Sequence, residues 1–260
     1  MSTRTLALRR GSSRACLFTT LAIIAAVTLG VSGASAQQSV SKRYPTGKTV
    51  RLELKNISGK ITVESWNRDE IKISATMESP AANVAPKQVR DSLVIDVTGD
   101  NRGRGDVGAV NFKIQVPVNS SIDIETKMGD IRISNIRGDL VRAHVTSEGD
   151  IELTGINASQ VIAQNLSGNI YFDGEFARRG VYQFQSGKGD ISIRIPSDST
   201  FDLTAAAPNK KITLGTFWNS GFKTVGDGNQ RFSKFVNEVN DGRAKVIITN
   251  FQGAITFLRR

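Results

Sequence analysis

The sequence predicts an all-β chain: a β-helix or solenoid-like stack of short strands with about 20 residues per turn. Three observations predict it. A signature recurs at Gly129-Asp130-Ile131-Arg132-Ile133, Gly149-Asp150-Ile151-Glu152-Leu153, Gly168-Asn169-Ile170-Tyr171-Phe172 and Gly189-Asp190-Ile191-Ser192-Ile193, with its glycines 20, 19 and 21 residues apart. A second alternating strand lies inside each period, at Ile122-Asp123-Ile124, Val141 to Val145, Val161-Ile162-Ala163 and Tyr182 to Phe184. No stretch keeps a helical period, apart from Phe232, Phe235, Val236 and Val239, whose spacing predicts one or two turns of helix.

Residues 1–36 read as a secretory signal peptide and stand outside the fold. Arg4, Arg9, Arg10 and Arg14 give a basic start, Ala15 to Ala36 carries no charge, and Ala34-Ser35-Ala36 forms a small-x-small cleavage site. The other reading of this run is an uncleaved membrane anchor, the one expected route to a membrane. Export places the protein in the periplasm or at the cell surface. The mature chain then has 30 basic and 24 acidic residues, and its only histidine is His144. The single cysteine, Cys16, lies within the signal, so burial and strand hydrogen bonds hold the mature fold.

Residues 37–47 are polar and read as a flexible mature N-terminus. The solenoid domain is expected over 48–258. Val50, Leu52 and Leu54 alternate with charged residues, and Ile61 and Val63 follow Ser58-Gly59. Ile71, Ile73 and Ala75 follow a polar turn. Pro80 and Pro86 mark a connection, Leu93 to Val97 resumes the sheet, and Gly99 to Gly108 is a charged glycine-rich loop. Whether 48–97 stacks on the array or forms a separate sheet stays open. A longer echo pairs Val116-Pro117 with Ile195-Pro196, 79 residues apart and close to four periods.

Within the array, each repeat glycine makes a corner, and the following Asp or Asn is expected to brace it by a local side-chain bond. Thr126, Thr146, Asn165 and Ser186 stand three residues before the glycines and are expected to share one stacked register. The Val141 to Val145 strand is shifted by one residue, which predicts a bulge near Ser147-Glu148. Residues 217–242 read as an irregular insertion or cap, and Val246 to Ile248 with Ile255 to Phe257 close the chain.

Chemistry is thin in this sequence. One histidine and no mature cysteine remove the usual zinc and iron ligand sets. A Walker loop, a dinucleotide fingerprint and a nucleophile elbow are absent, and no cofactor is implied. Asp130, Asp150 and Asp190 should share a column with Asn169. A calcium-binding column is the alternative to corner bracing, but the Gly-Gly-x-Gly-x-Asp repeat that builds such sites is missing. Arg104-Gly105-Asp106 and Arg137-Gly138-Asp139 read as turn chemistry. The binding candidate is a cluster of aromatic and basic residues, Trp218, Phe222, Lys223, Arg231 and Lys234, which offers stacking faces and cations to a sugar or anionic polymer. Its alternative role is to cover the exposed last rung.

Asn56-Ile57-Ser58-Gly59-Lys60-Ile61-Thr62-Val63, Val116-Pro117, the Gly-Asp-Ile units and Gln252-Gly253-Ala254-Ile255-Thr256-Phe257 together resemble the bacterial putative-adhesin β-solenoid family, a domain family of unknown function, over roughly residues 45 to 258. The resemblance implies an all-β, right-handed β-helix-like domain in the bacterial cell envelope, and the family name implies adhesion. It carries no catalytic or ligand residues onto this chain. The expected function is a non-catalytic, exported module that is adhesion-like or binds a ligand. Its partner would be envelope polysaccharide, another anionic polymer or an envelope protein, with no specific nucleic acid. The alternatives are a polysaccharide-acting enzyme on a β-helix scaffold, whose mark would be a groove lined by several carboxylates and basic residues, and an envelope-stress protein-interaction partner.

Overall fold

The computed structural model describes residues 38–208, 211–217, 223–226, 232–240 and 243–260. The signal segment lies outside the described residues. The strands are β1 (Gln38–Pro45), β2 (Arg51–Ser58), β3 (Ile61–Trp66), β4 (Glu70–Met77), β5 (Lys87–Val89), β6 (Ser92–Asp96), β7 (Val110–Pro117), β8 (Ser121–Met128), β9 (Ile131–Ser134), β10 (Leu140–Glu148) and β11 (Ile151–Ile156). They continue with β12 (Gln160–Ser167), β13 (Ile170–Gly174), β14 (Val181–Lys188), β15 (Ile191–Ile195), β16 (Phe201–Pro208), β17 (Ile212–Thr213), β18 (Lys223–Gly226), β19 (Phe232–Val239), β20 (Ala244–Asn250) and β21 (Ile255–Arg259). One sheet, here sheet A, has the order β1-β4-β7-β3-β9-β11-β13-β15-β21-β17. The other, sheet B, has the order β18-β19-β16-β20-β14-β12-β10-β8-β2-β6-β5.

The central rungs are parallel, one strand in each sheet, joined by a tight corner at the repeat glycine. Their registers bring Ile61, Ile131, Ile151, Ile170, Ile191 and Ile255 into one column of sheet A. Leu52, Ile122, Val141, Val161, Tyr182 and Val246 form the matching column of sheet B. All of these side chains are buried. A single four- to eight-residue strand buries too little apolar surface to offset its ordering entropy. A column of rungs about 4.8 Å apart shares one dry interior, and each buried side chain there contributes roughly 1.5–3 kcal/mol. Toward the C-terminal end the core turns aromatic, where Phe172, Phe176, Tyr182, Phe184, Phe201, Phe217 and Phe257 touch one another with ring centroids 4.4–6.2 Å apart.

Chain order and stack order differ. β2 and β3 pair in register with β8 and β9, so residues 48–66 belong to the array itself. They lie between the β6–β7 rung and the β8–β9 rung, which are consecutive in the chain. The same happens at the other end, where β20 and β21 lie between the β14–β15 rung and the β16–β17 rung. The chain therefore passes over a rung twice, once after Pro117 and once after Pro196. Both crossings use the same turn. Ser120 N–H and Oγ–H donate to the Pro117 carbonyl, and Ser199 N–H and Oγ–H donate to the Pro196 carbonyl. The 79-residue echo in the sequence marks these two crossings.

Antiparallel strands finish the stack. β4 pairs with β7 and β1 with β4, while β19 pairs with β16 and β18 with β19. The expected helix at Phe232, Phe235, Val236 and Val239 is corrected to strand β19, because the open edge of β16 offers eight residues a backbone ladder. The expected bulge is present between Val145 and Glu148 in the pairing with both neighbours. It also corrects the polar column. Val145, not Thr146, stands in register with Thr126 and Asn165, and Thr146 is exposed.

Candidate functional site

The corner of the central rungs is built from three columns. The first is glycine. A Cβ on Gly129, Gly149, Gly168 or Gly189 would stand 2.1–2.2 Å from the carbonyl oxygen of the glycine one rung before, Gly59, Gly129, Gly149 and Gly168 respectively. Only a residue without a side chain lets the rungs close to strand spacing here.

The second column is buried and polar: Asn56, Thr126, Asn165, Ser186 and Asn250, interrupted by Val145. Its members hold corner carbonyls. Asn165 Nδ2 donates to Gly149 O at 3.1 Å, Ser186 Oγ to Gly168 O at 3.2 Å and Asn250 Nδ2 to Gly189 O at 2.8 Å. The bonds satisfy backbone acceptors that the turn takes out of the ladder.

The third column is Asp130, Asp150, Asn169 and Asp190. Each side chain accepts the backbone N–H of the same position on the next rung. Asp130 Oδ1 accepts from Asp150 at 3.2 Å, Asp150 Oδ1 from Asn169 at 2.7 Å, Asn169 Oδ1 from Asp190 at 2.9 Å and Asp190 Oδ1 from Ala254 at 2.8 Å. The expected local brace is thus corrected to a bond between rungs, because parallel stacking sets the next N–H within reach of each carboxylate.

Outside this corner the surface is hollowed. A cleft of about 400 Å3 is lined by Met128, Gly129, Asp130, Glu148, Gly149, Asp150, Ser167 and Gly168. The bulge of β10 turns Glu148 into it. A second hollow of about 220 Å3 adjoins on the outer wall of sheet A, lined by Asp130, Arg132, Asp150, Ile151, Glu152, Asn169 and Tyr171. The two share Asp130 and Asp150 and make one groove across three rungs. Arg132, Glu152 and Tyr171 stand in register on successive rungs. Arg132 Nε donates to Glu152 Oε2 at 2.8 Å, and its other arm lies 3.5 Å from Asp130 Oδ2. The groove therefore offers carboxylate acceptors, a guanidinium donor and one aromatic ring, the set that holds hydroxyl-rich rings by edge and face.

The aromatic and basic cluster singled out from the sequence is described only in part. Trp218, Phe222 and Arg231 lie outside the described residues. Lys223 opens β18, and Lys234 is exposed on the neighbouring β19. His144 faces outward on β10, beside Glu125 and Gln164 in register, with a buried Nδ1 that lacks a partner. Arg104-Gly105-Asp106 is exposed, whereas Gly138 of the second such tripeptide is packed under the Ser120 carbonyl. Among the described residues, no group of three or more His, Cys, Asp or Glu side chains is placed to hold a metal ion. Glu148 and Tyr171 are groove residues that the sequence reading passed over. The column three residues after each repeat glycine, Arg132, Glu152, Tyr171 and Ser192, was the signal for the wall.

The Toastrack DUF4097 family pattern matches residues 4–238. The chain belongs to the Toastrack DUF4097 family. The likeness to a putative-adhesin family of unknown function read from the sequence holds. A comparison with curated proteins gives no match. Among solved structures, this Toastrack chain is similar to a putative cell adhesion protein from Clostridium sporogenes, at 14% identity and TM-score 0.50, over 86% of this chain and 100% of the other. It is also similar to a putative adhesin from Bacteroides fragilis, at 10% identity and TM-score 0.39, over 85% of this chain and 97% of the other. The first likeness is one of fold. No Toastrack helix among the described residues is long and apolar enough to cross a membrane.

Proposed function

We propose that the protein is a non-catalytic, exported binding module of the bacterial cell envelope that holds a glycan chain in the corner groove. The observation that carries this reading is the continuity of the two hollows through Asp130 and Asp150. A site that repeats with the rung suits a ligand that repeats too. The acidic lining favours a glycan without negative charge over an anionic polymer. Export is supported by the basic start, the uncharged run and Ala34-Ser35-Ala36. The test is a glycan-array and envelope-extract binding screen with the full chain, Tyr171→Ala and Trp218→Ala. Loss of binding in Tyr171→Ala alone supports the groove. Loss in Trp218→Ala alone moves the site to the cluster expected from the sequence, and no glycan bound by the wild type sinks the reading.

A second reading is favoured by one observation. Four carboxylates, Asp130, Glu148, Asp150 and Glu152, line the groove beside Arg132. That is the mark expected of a polysaccharide-acting enzyme. Three of the four already accept hydrogen bonds within the fold: Asp130 and Asp150 from backbone N–H groups and Glu152 from Arg132. Such engagement suits a structural wall better than a proton donor that must come and go. Release of reducing ends from a bound glycan, abolished in Glu148→Gln, would establish the enzyme instead.

A further inference from the structure

The outer face of sheet B is divided. On β2, β8 and β10 it carries Arg51, Glu53, Asp123, Glu125 and Arg142, tied by ion pairs of 2.8–3.7 Å. On β12, β14, β20 and β16 one outward column, Gln160, Val181, Lys245 and Asp202, ends in two charged residues, and the three columns beside it carry no charge. Ile162, Gln183, Ile247 and Thr204 make the first, and Gln164, Gln185, Thr249 and Ala206 the second. Leu166, Gly187 and Phe251 make the third, beside the corner. Leu166 is 62% exposed and Phe251 49%. A Cβ on Gly187 would stand 3.3 Å from Leu166 Cδ1, so the leucine leans across the glycine on the side toward Phe251.

The structure assigns this face to a flat, uncharged polysaccharide, and we infer that it is a second contact surface of the glycan-binding module proposed above, on which it rests. The chemistry is matched in kind. An apolar strip of Leu166 and Phe251 meets the C–H faces of sugar rings, and the amides of Gln164, Gln183 and Gln185 with the Thr249 hydroxyl both donate and accept toward hydroxyl groups. The three columns hold no charge of their own, and the charges at their border, Lys245 beside Asp202 and Lys234 on β19, stand at the rim of the patch. Size separates this occupant from a second copy of the chain. Four strands by three outward positions span roughly 400 Å2, about half of the 800 Å2 or so that each partner of a stable dimer covers. A patch of that area is of the size that serves a function on a monomer.

Co-sedimentation of the full chain with cellulose or chitin particles, at low and high salt, tests the assignment. The wild type is expected to sediment at both, since no ion pair is involved. Gln185→Lys, which sets a charge in the middle of the face, and Phe251→Ala should each weaken retention about tenfold. Glu125→Gln, in the ion-paired part of the same sheet face, should leave it unchanged. Thermal melting of each variant identifies any that fails to fold, and Gln185→Lys, exposed on a flat face, is the one expected to melt as the wild type does. Loss in Tyr171→Ala with both face variants retained overturns this inference and keeps the groove reading. No sedimentation of the wild type overturns the inference too, whatever the glycan screen shows. A dimer in sedimentation velocity that Gln185→Lys dissociates gives the face to a second copy and overturns it as well.

Discussion

Gly149 sits so closely against Gly129 that a methyl group added to it would stand 2.2 Å from the Gly129 carbonyl oxygen. The two residues face each other across one rung spacing, and the same approach recurs from Gly59 to Gly253. The obstacle is backbone, which cannot swing aside. Gly149→Ala or Gly168→Ala should therefore push the rungs apart and lower stability by about 2–4 kcal/mol. Urea unfolding checks this. A loss below about half a kilocalorie would mean that the corner yields more easily than the ladder implies.

The carboxylate ladder makes a finer prediction. Asp150 and Asn169 perform the same task on adjacent rungs with the same atom, Oδ1. Asp150→Asn should change stability little, whereas Asp150→Ala leaves the Asn169 N–H without its acceptor and costs about 1 kcal/mol at this exposed site. Chemical denaturation of the two variants side by side separates a hydrogen-bonding role from a charge role. Equal losses in both would point to charge.

Tyr182 couples the aromatic core to pH. Its hydroxyl donates to Ala158 O at 2.7 Å and accepts from the Ala177 N–H, and burial pushes its pKa from 10.0 up to about 12. The neutral phenol is the form the fold prefers. The corresponding stability is complete below about pH 10 and is lost as pH rises toward 12, a change on the order of 2–3 kcal/mol. Tyr182→Phe should be less stable near neutral pH by about 1–3 kcal/mol, because it strands the two backbone groups. The difference between variant and wild type should then shrink between pH 10 and 12. Melting temperatures across that range read it directly, and a constant difference would contradict the burial argument.

The two ends of the described chain should respond very differently to truncation. Removing 244–260 takes out β20 and β21, with Val246, Ile248, Ile255 and Phe257 from the core, and leaves a gap between rungs on both sides. At roughly 1.5–3 kcal/mol for each buried side chain, the loss rivals a whole domain's stability of about 5–15 kcal/mol. No cooperative unfolding transition is expected from the shortened protein. Removing β1, whose residues are exposed except for the half-buried Tyr44, should leave such a transition in place. Far-ultraviolet circular dichroism during heating distinguishes the two.

The period of the glycines, the alternation of Ile131, Ile151, Ile170 and Ile191 with polar neighbours, and the bulge after Val145 could all be read along the chain. They depend on contacts between one residue and its counterpart about 20 positions away, which repetition makes visible. The groove was less legible. Arg132, Glu152 and Tyr171 read singly as outward residues of three strands, and only stacking sets them side by side. The charge-free columns were hidden for the same reason, since Gln185 and Thr249 are distant in the chain and adjacent in the sheet.

By itself, then, the sequence determined the rung, its corner and the inward side of each strand, because those follow from side-chain size and local backbone freedom. Only the tertiary structure decided the order of the rungs. A strand edge accepts any partner of matching register, so Pro117 and Pro196 lead the chain past a vacant level that β2–β3 and β20–β21 fill. Choices among equivalent edges are settled by which arrangement leaves the fewest unpaired edges and the most covered core. That preference belongs to the assembled stack and to no single segment of it.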